Sequence, residues 1–100
     1  MQDWPIEVAD AARLHEFADA YRDPALTRDE RIVLMELVIA SLDDVEDPGS
    51  HELWPSIQEI LLSDFDLHKQ TVFYWAVEEF AASDGFSVTP LMRALLRARA

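Results

Sequence analysis

Thr27-Arg28-Asp29-Glu30 is a helix start written in side chains. A threonine followed three residues later by a glutamate forms a capping box. The hydroxyl accepts from the N–H at the fourth position, and the carboxylate reaches back to the N–H of the first. Behind it come Ile32, Val33, Leu34, Met35, Leu37, Val38, Ile39 and Leu42. A helix apolar nearly all round is buried nearly all round. The spacing therefore predicts a central helix over 27–42 with the others packed about it. The β-branched run alone would also suit a buried strand, but the cap and the length favour helix.

The rest of the chain divides around that element. Only two glycines occur, Gly49 and Gly85, and with the prolines they punctuate about five helices. The first is expected from Pro5 to Arg22, where Asp23-Pro24 stops it, because a residue before proline avoids the α region. Asp43 to Gly49 reads as a loop. A third helix follows over 53–62, with Leu53, Trp54, Ile57, Ile60 and Leu61 on one face and Pro55 in its first turn. The fourth is capped by Asp64 or Asp66 and runs to Ser83, with Phe73, Ala76, Val77 and Phe80 as its core stripe. Val72 and Trp75 widen that stripe. Phe86 and Val88 lie in an extended linker, and Thr89-Pro90 opens a short last helix as cap and first helical residue. The fold class is all-α, a single domain over 1–100 of four main helices plus a short C-terminal one. Trp54 is expected in the core and Trp4 at the periphery.

Composition narrows the function. Twenty acidic residues face eight basic ones, a formal charge of -12. Binding a nucleic-acid duplex needs Lys and Arg to displace counterions from phosphate, so nucleic acid is not expected as a partner. The one basic cluster is Arg93, Arg97 and Arg99, expected to pair with acids on neighbouring helices. Half of the residues are hydrophobic, which argues for a folded core rather than disorder. The absence of cysteine removes disulfides and thiolate chemistry. No signal peptide is visible at the N-terminus. The longest apolar run, Ile32 to Leu42, is broken by Glu36 and Ser41 and falls short of the roughly 20 residues of a membrane span. A cytoplasmic protein is the expectation.

No motif carries chemistry. His15, His51 and His68 are the histidines, and none follows a glutamate at the spacing of a helical di-metal site. His68 is expected to be solvated or to cap. The stretch from Asp43 to Glu52 fails the calcium-loop register, because Val45 or Pro48 falls on a ligand position. Neither metal nor cofactor is expected, and an enzyme could arise only from a site assembled in space.

Two surface features remain. Asp43, Asp44, Glu46, Asp47 and Glu52 crowd like charges together at a cost in self-repulsion. They serve either solubility or the docking of a basic partner, where complementary charge speeds encounter. Tyr74, Trp75, Glu78 and Glu79 set aromatics beside acids, the composition of a hot spot against a basic protein. In size, acidity and lack of catalytic motifs, the chain resembles the small inhibitors that neutralise bacterial toxins, a likeness of composition. The functional expectation is an acidic, non-catalytic module that docks on a basic protein. The alternative is a homo-oligomer, a homodimer for instance, or a scaffold subunit using Val72 and Trp75 as exposed edges.

Overall fold

The computed structural model describes residues 11–76 and 87–99. Every regular element among these residues is helical. A 3-10 turn, Ala11–Arg13, leads into α1 (Leu14–Ala20). Helix α2 is Arg28–Asp43, α3 is Trp54–Ser63, α4 is Phe65–Ala76 and α5 is Thr89–Arg99, with a second 3-10 turn, Pro48–Ser50, between α2 and α3. No helix among the described residues is long and apolar enough to cross a membrane. Several expectations lie outside the described residues: the Pro5 start, Trp4, Val77, Phe80, the stop at Gly85, and Phe86.

The capping box forms as expected. Thr27 Oγ1 accepts from Glu30 N at 3.1 Å, and Glu30 Oε1 accepts from Thr27 N at 2.8 Å. Helix α2 then runs between α1 and α4. Its C-terminal half is buried almost all round, at Met35, Val38, Ile39, Ala40, Ser41 and Leu42. Its N-terminal half is not: Val33 is 37% exposed, and Ile32, Leu34 and Leu37 are half-buried. The all-round apolar pattern therefore overstated burial near the cap.

Helices α1, α3 and α5 each bring a stripe at helical spacing to the same core. These are Leu14, Phe17 and Tyr21; Trp54, Ile57 and Leu61; and Val88, Met92 and Leu95. Pro55 sits in the first turn of α3, where its missing N–H has no intrahelical partner to lose. The cap there comes from outside the helix: His51 Nδ1 accepts from Leu53 N at 3.0 Å.

Helices α3 and α4 share a single joining residue, Asp64. It ends α3 with its N–H on Ile60 O, and its carbonyl accepts from Leu67 N and His68 N to start α4. Asp64 is thus the residue before α4, as expected, though it acts through its carbonyl.

The rotation of α4 differs from expectation. Its buried face is His68, Thr71, Val72, Trp75 and Ala76, whereas Phe73 is 51% exposed. Apolar residues occur on two sides of this helix, so periodicity alone left its rotation open. Placing Trp75, Val72 and His68 inward buries the larger indole and gives the imidazole a hydrogen-bonding partner. The same rotation removes Val72 and Trp75 as exposed edges, at 0% and 2% exposed.

Helix α5 closes the bundle against α4. The helix begins at Thr89 itself, one residue earlier than expected: its hydroxyl donates to Trp75 O at 2.7 Å, and Met92 N bonds Val88 O. Two of the arginines have partners that charge alone did not announce. Arg93 Nε donates to Ala76 O at 2.8 Å, and the Arg99 guanidinium lies 5.1 Å from the Phe65 ring centroid, a cation–π distance.

Two substitutions check this packing. Thr27→Ala removes a cap worth about 1 kcal/mol and should lower the urea midpoint of the whole domain. On α4, Trp75→Ala should cost about 3–5 kcal/mol, the range for a buried aromatic, while Phe73→Ala should leave the midpoint nearly in place. Equal losses at the two positions would show that α4 is rotated otherwise.

Candidate functional site

The acidic stretch begins where α2 ends, and its first member faces inward. Asp43 is half-buried, and its Oδ1 accepts from Val88 N at 3.0 Å. Burial pushes its carboxyl above the usual range, more than the Val88 and Ser87 N–H groups pull it down; neighbouring Asp44 adds to the rise. Asp43 therefore fastens the end of α2 to the start of α5. It is a structural acid, not part of an exposed patch.

The next acids face solvent. Asp44 closes α2 with its N–H on Ser41 O, and its side chain is exposed. Glu46 and Asp47 are exposed, and Asp47 Oδ2 accepts from Ser50 Oγ at 2.9 Å. Val45 turns the other way and packs against the core. Across the 3-10 turn, a Cβ built on Gly49 would lie 3.4 Å from Leu91 Cδ2, so the loop rests on α5. Glu52 is exposed, with Oε2 3.4 Å from His15 Nε2 on α1, and the His15 and His51 rings stand 5.6 Å apart. The structure thus brings His15 to the neighbouring pair His51 and Glu52, far from it in the sequence. Among the described residues no group of three His, Asp or Glu is placed to hold a metal ion.

The aromatic half of the expected surface divides. Tyr74 is half-buried, and its ring meets that of Trp75 edge-on at 5.4 Å and 88°. Trp75 is a core residue and offers no surface to a partner. Glu78 and Glu79 lie outside the described residues.

Sequence reasoning missed one polar site. His68, expected in solvent or at a cap, is fully buried, and its Nε2 lies 2.7 Å from the Tyr21 hydroxyl. Burial holds its imidazole below the ordinary 6.5, against the pull of Asp64 and with the help of Arg31. Burial likewise raises the Tyr21 phenol, partly offset by the Arg31 guanidinium beside it. The only signal in the chain was that His68, Val72 and Trp75 recur at helical spacing. A groove between α2 and α4 is lined by Arg28, Glu36, Asp66 and Lys69 among others. Burial raises the Glu36 carboxyl, but the mixed charges favour no single ligand sign.

No protein-family model, curated protein or solved structure matches this chain.

The role of Asp43 can be read by substitution. Asp43→Ala leaves the Val88 N–H without its acceptor, a loss of about 1–3 kcal/mol, whereas Asp43→Asn keeps an acceptor and should cost less. The pH dependence has a definite sign. A carboxyl whose folded value is raised binds protons more tightly in the folded state. Stability then falls as pH rises from its unfolded value through its folded one. Asp43→Asn should flatten that fall in denaturation midpoints measured across the acidic range.

Proposed function

We propose that this domain is a non-catalytic binding module that docks on a basic protein through the exposed acids Asp44, Glu46, Asp47 and Glu52, as a small inhibitor of a toxin does. The observation that carries the reading is the division of labour in this stretch. Asp43 and Val45 turn inward to hold it, while the other acids stay in solvent at positions fixed by the end of α2, the 3-10 turn and the contact of Gly49 with α5. Anions held in place before binding lose less conformational freedom on association. Their field also draws a basic partner in at a rate that falls with ionic strength. Asp43 is excluded from this surface, and Trp75 with it.

Self-association is the second reading, favoured by one observation: Phe73 is 51% exposed on the outer side of α4. The two readings respond oppositely to salt. Screening weakens an acid-to-base contact and relieves the repulsion between two acidic copies.

Charge reversal of Asp44, Glu46 and Asp47 to Lys should cut the association rate with a captured partner at least tenfold at low salt, in keeping with electrostatic steering. The thermal midpoint should hardly move, since these side chains are exposed. Affinity capture from the native host followed by stopped-flow or surface kinetics makes the measurement. If capture returns only further copies of this chain, and the reversed protein behaves like its parent, the docking reading fails. Loss of that self-capture in Phe73→Ser would then support the second reading.

A further inference from the structure

Away from the acidic stretch, one polar pair is built into the core with no part in docking. His68 on α4 is fully buried, and Tyr21, just past the end of α1, is 6% exposed. The Tyr21 hydroxyl stands 2.7 Å from His68 Nε2, with the two rings 5.9 Å apart and tilted at 50°. The other ring nitrogen, Nδ1, is buried without a partner among the described residues. From α2, the Arg31 guanidinium lies over the Tyr21 ring, 5.8 Å from its centroid. In either neutral tautomer this pair can bond, the hydroxyl donating to a bare Nε2 or accepting from Nε2–H, and Nδ1 is left over.

We propose that His68 and Tyr21 form an acid-operated latch that fastens α1 to α4 when the imidazole is neutral and releases α1 when it takes up a proton. Protonation makes donors of both ring nitrogens, and the Tyr21 hydroxyl can accept from only one of them. Nδ1–H keeps no acceptor, and the new cation lies in the core near a guanidinium. The groups that face it are Tyr21 from α1, Arg31 from α2 and Asp64 from the joint between α3 and α4. Of these, Asp64 alone favours the cation, and burial outweighs it.

Helix α1 is the element that yields. It has seven residues, well short of the roughly 12–15 that an isolated helix needs to persist. It is held by Leu14, Phe17 and Tyr21, whereas α4 is packed by α2, α3 and α5 together and bonded to Thr89 and Arg93. The sign follows from linkage. A histidine whose folded value is lowered contributes its full stability above the unfolded value of 6.5, and loses it as pH falls through that value toward the folded one. Release of α1 also withdraws His15 from Glu52, so acid would alter one end of the acidic stretch as well. Glu36 and Asp43, whose carboxyls are raised, respond to acid with the opposite sign.

Amide hydrogen exchange on the full chain, between about pH 7.5 and about pH 5 and corrected for intrinsic rates, tests the latch. Protection factors over 14–21 should fall by up to about tenfold per pH unit below the unfolded imidazole value, the limit for one linked proton. Amides of α4 and α5 should keep theirs. His68→Gln, which can still bond the Tyr21 hydroxyl but does not titrate, should remove the fall. A variant with both His15→Gln and His51→Gln should retain it. A fall that persists in His68→Gln, or that involves all helices at once, overturns the proposal, as does protection over 14–21 that ignores pH. Nitrogen-15 shifts of the His68 ring in the parent protein decide the matter even if His68→Gln does not fold. Titration at or above 6.5 in the folded state overturns the latch, and a lower value supports it.

Discussion

Helix α4 has to bury a histidine and a threonine on the same face as a valine, a tryptophan and an alanine, and its neighbours are arranged around that demand. Putting polar groups in a core is costly unless each finds a partner. Tyr21 supplies one from the end of α1, and the Arg31 guanidinium of α2 lies over the Tyr21 ring. From the other side, α5 sends the Thr89 hydroxyl and the Arg93 guanidinium to the carbonyls of Trp75 and Ala76. The apolar stripes supply most of the driving force. The polar bonds select among the rotations and registers that those stripes would otherwise permit, as buried polar groups do in some systems.

The architecture was legible wherever the signal was local. Thr27 and Glu30 announced their own helix, and Pro55 fixed the first turn of α3, because capping and proline geometry depend on residues a few positions apart. The rotation of α4 was not legible. Phe73 and Trp75 are both large and apolar, and the choice between them was made by Tyr21, forty-seven positions before His68. Thr89 misled for a similar reason. A threonine before proline reads as a cap, but Thr89 is already helical, and its hydroxyl donates to the Trp75 carbonyl of α4. The arginines of α5 were read by charge, in a chain rich in acid, yet Arg93 and Arg99 took up a carbonyl and an aromatic face.

The acidic stretch shows how little a run of like residues says about their individual duties. Asp43 and Asp44 are neighbours of one type in one charge cluster. One points inward and ties α2 to α5; the other points to solvent. A helix turns by about 100° per residue, so at the last turn of α2 adjacent side chains meet different surroundings. The approach of His15 to His51 and Glu52 likewise depended on where α1 lies beside the loop, which no spacing in the chain encodes.

The single-residue joint at Asp64 sets a phase between two helices. Because α3 ends and α4 begins on the same residue, no slack exists there to absorb a change in chain length. An inserted or deleted residue would turn α4 by about 100°, bringing another side of the helix to the core in place of His68 and Trp75. Substitutions along α4 can be weighed one at a time, but a change of length at this joint would exchange the whole face at once. The chain is thus free to vary in letters here and bound in count, and descendants of this domain should differ at position 64 far more readily by replacement than by gain or loss.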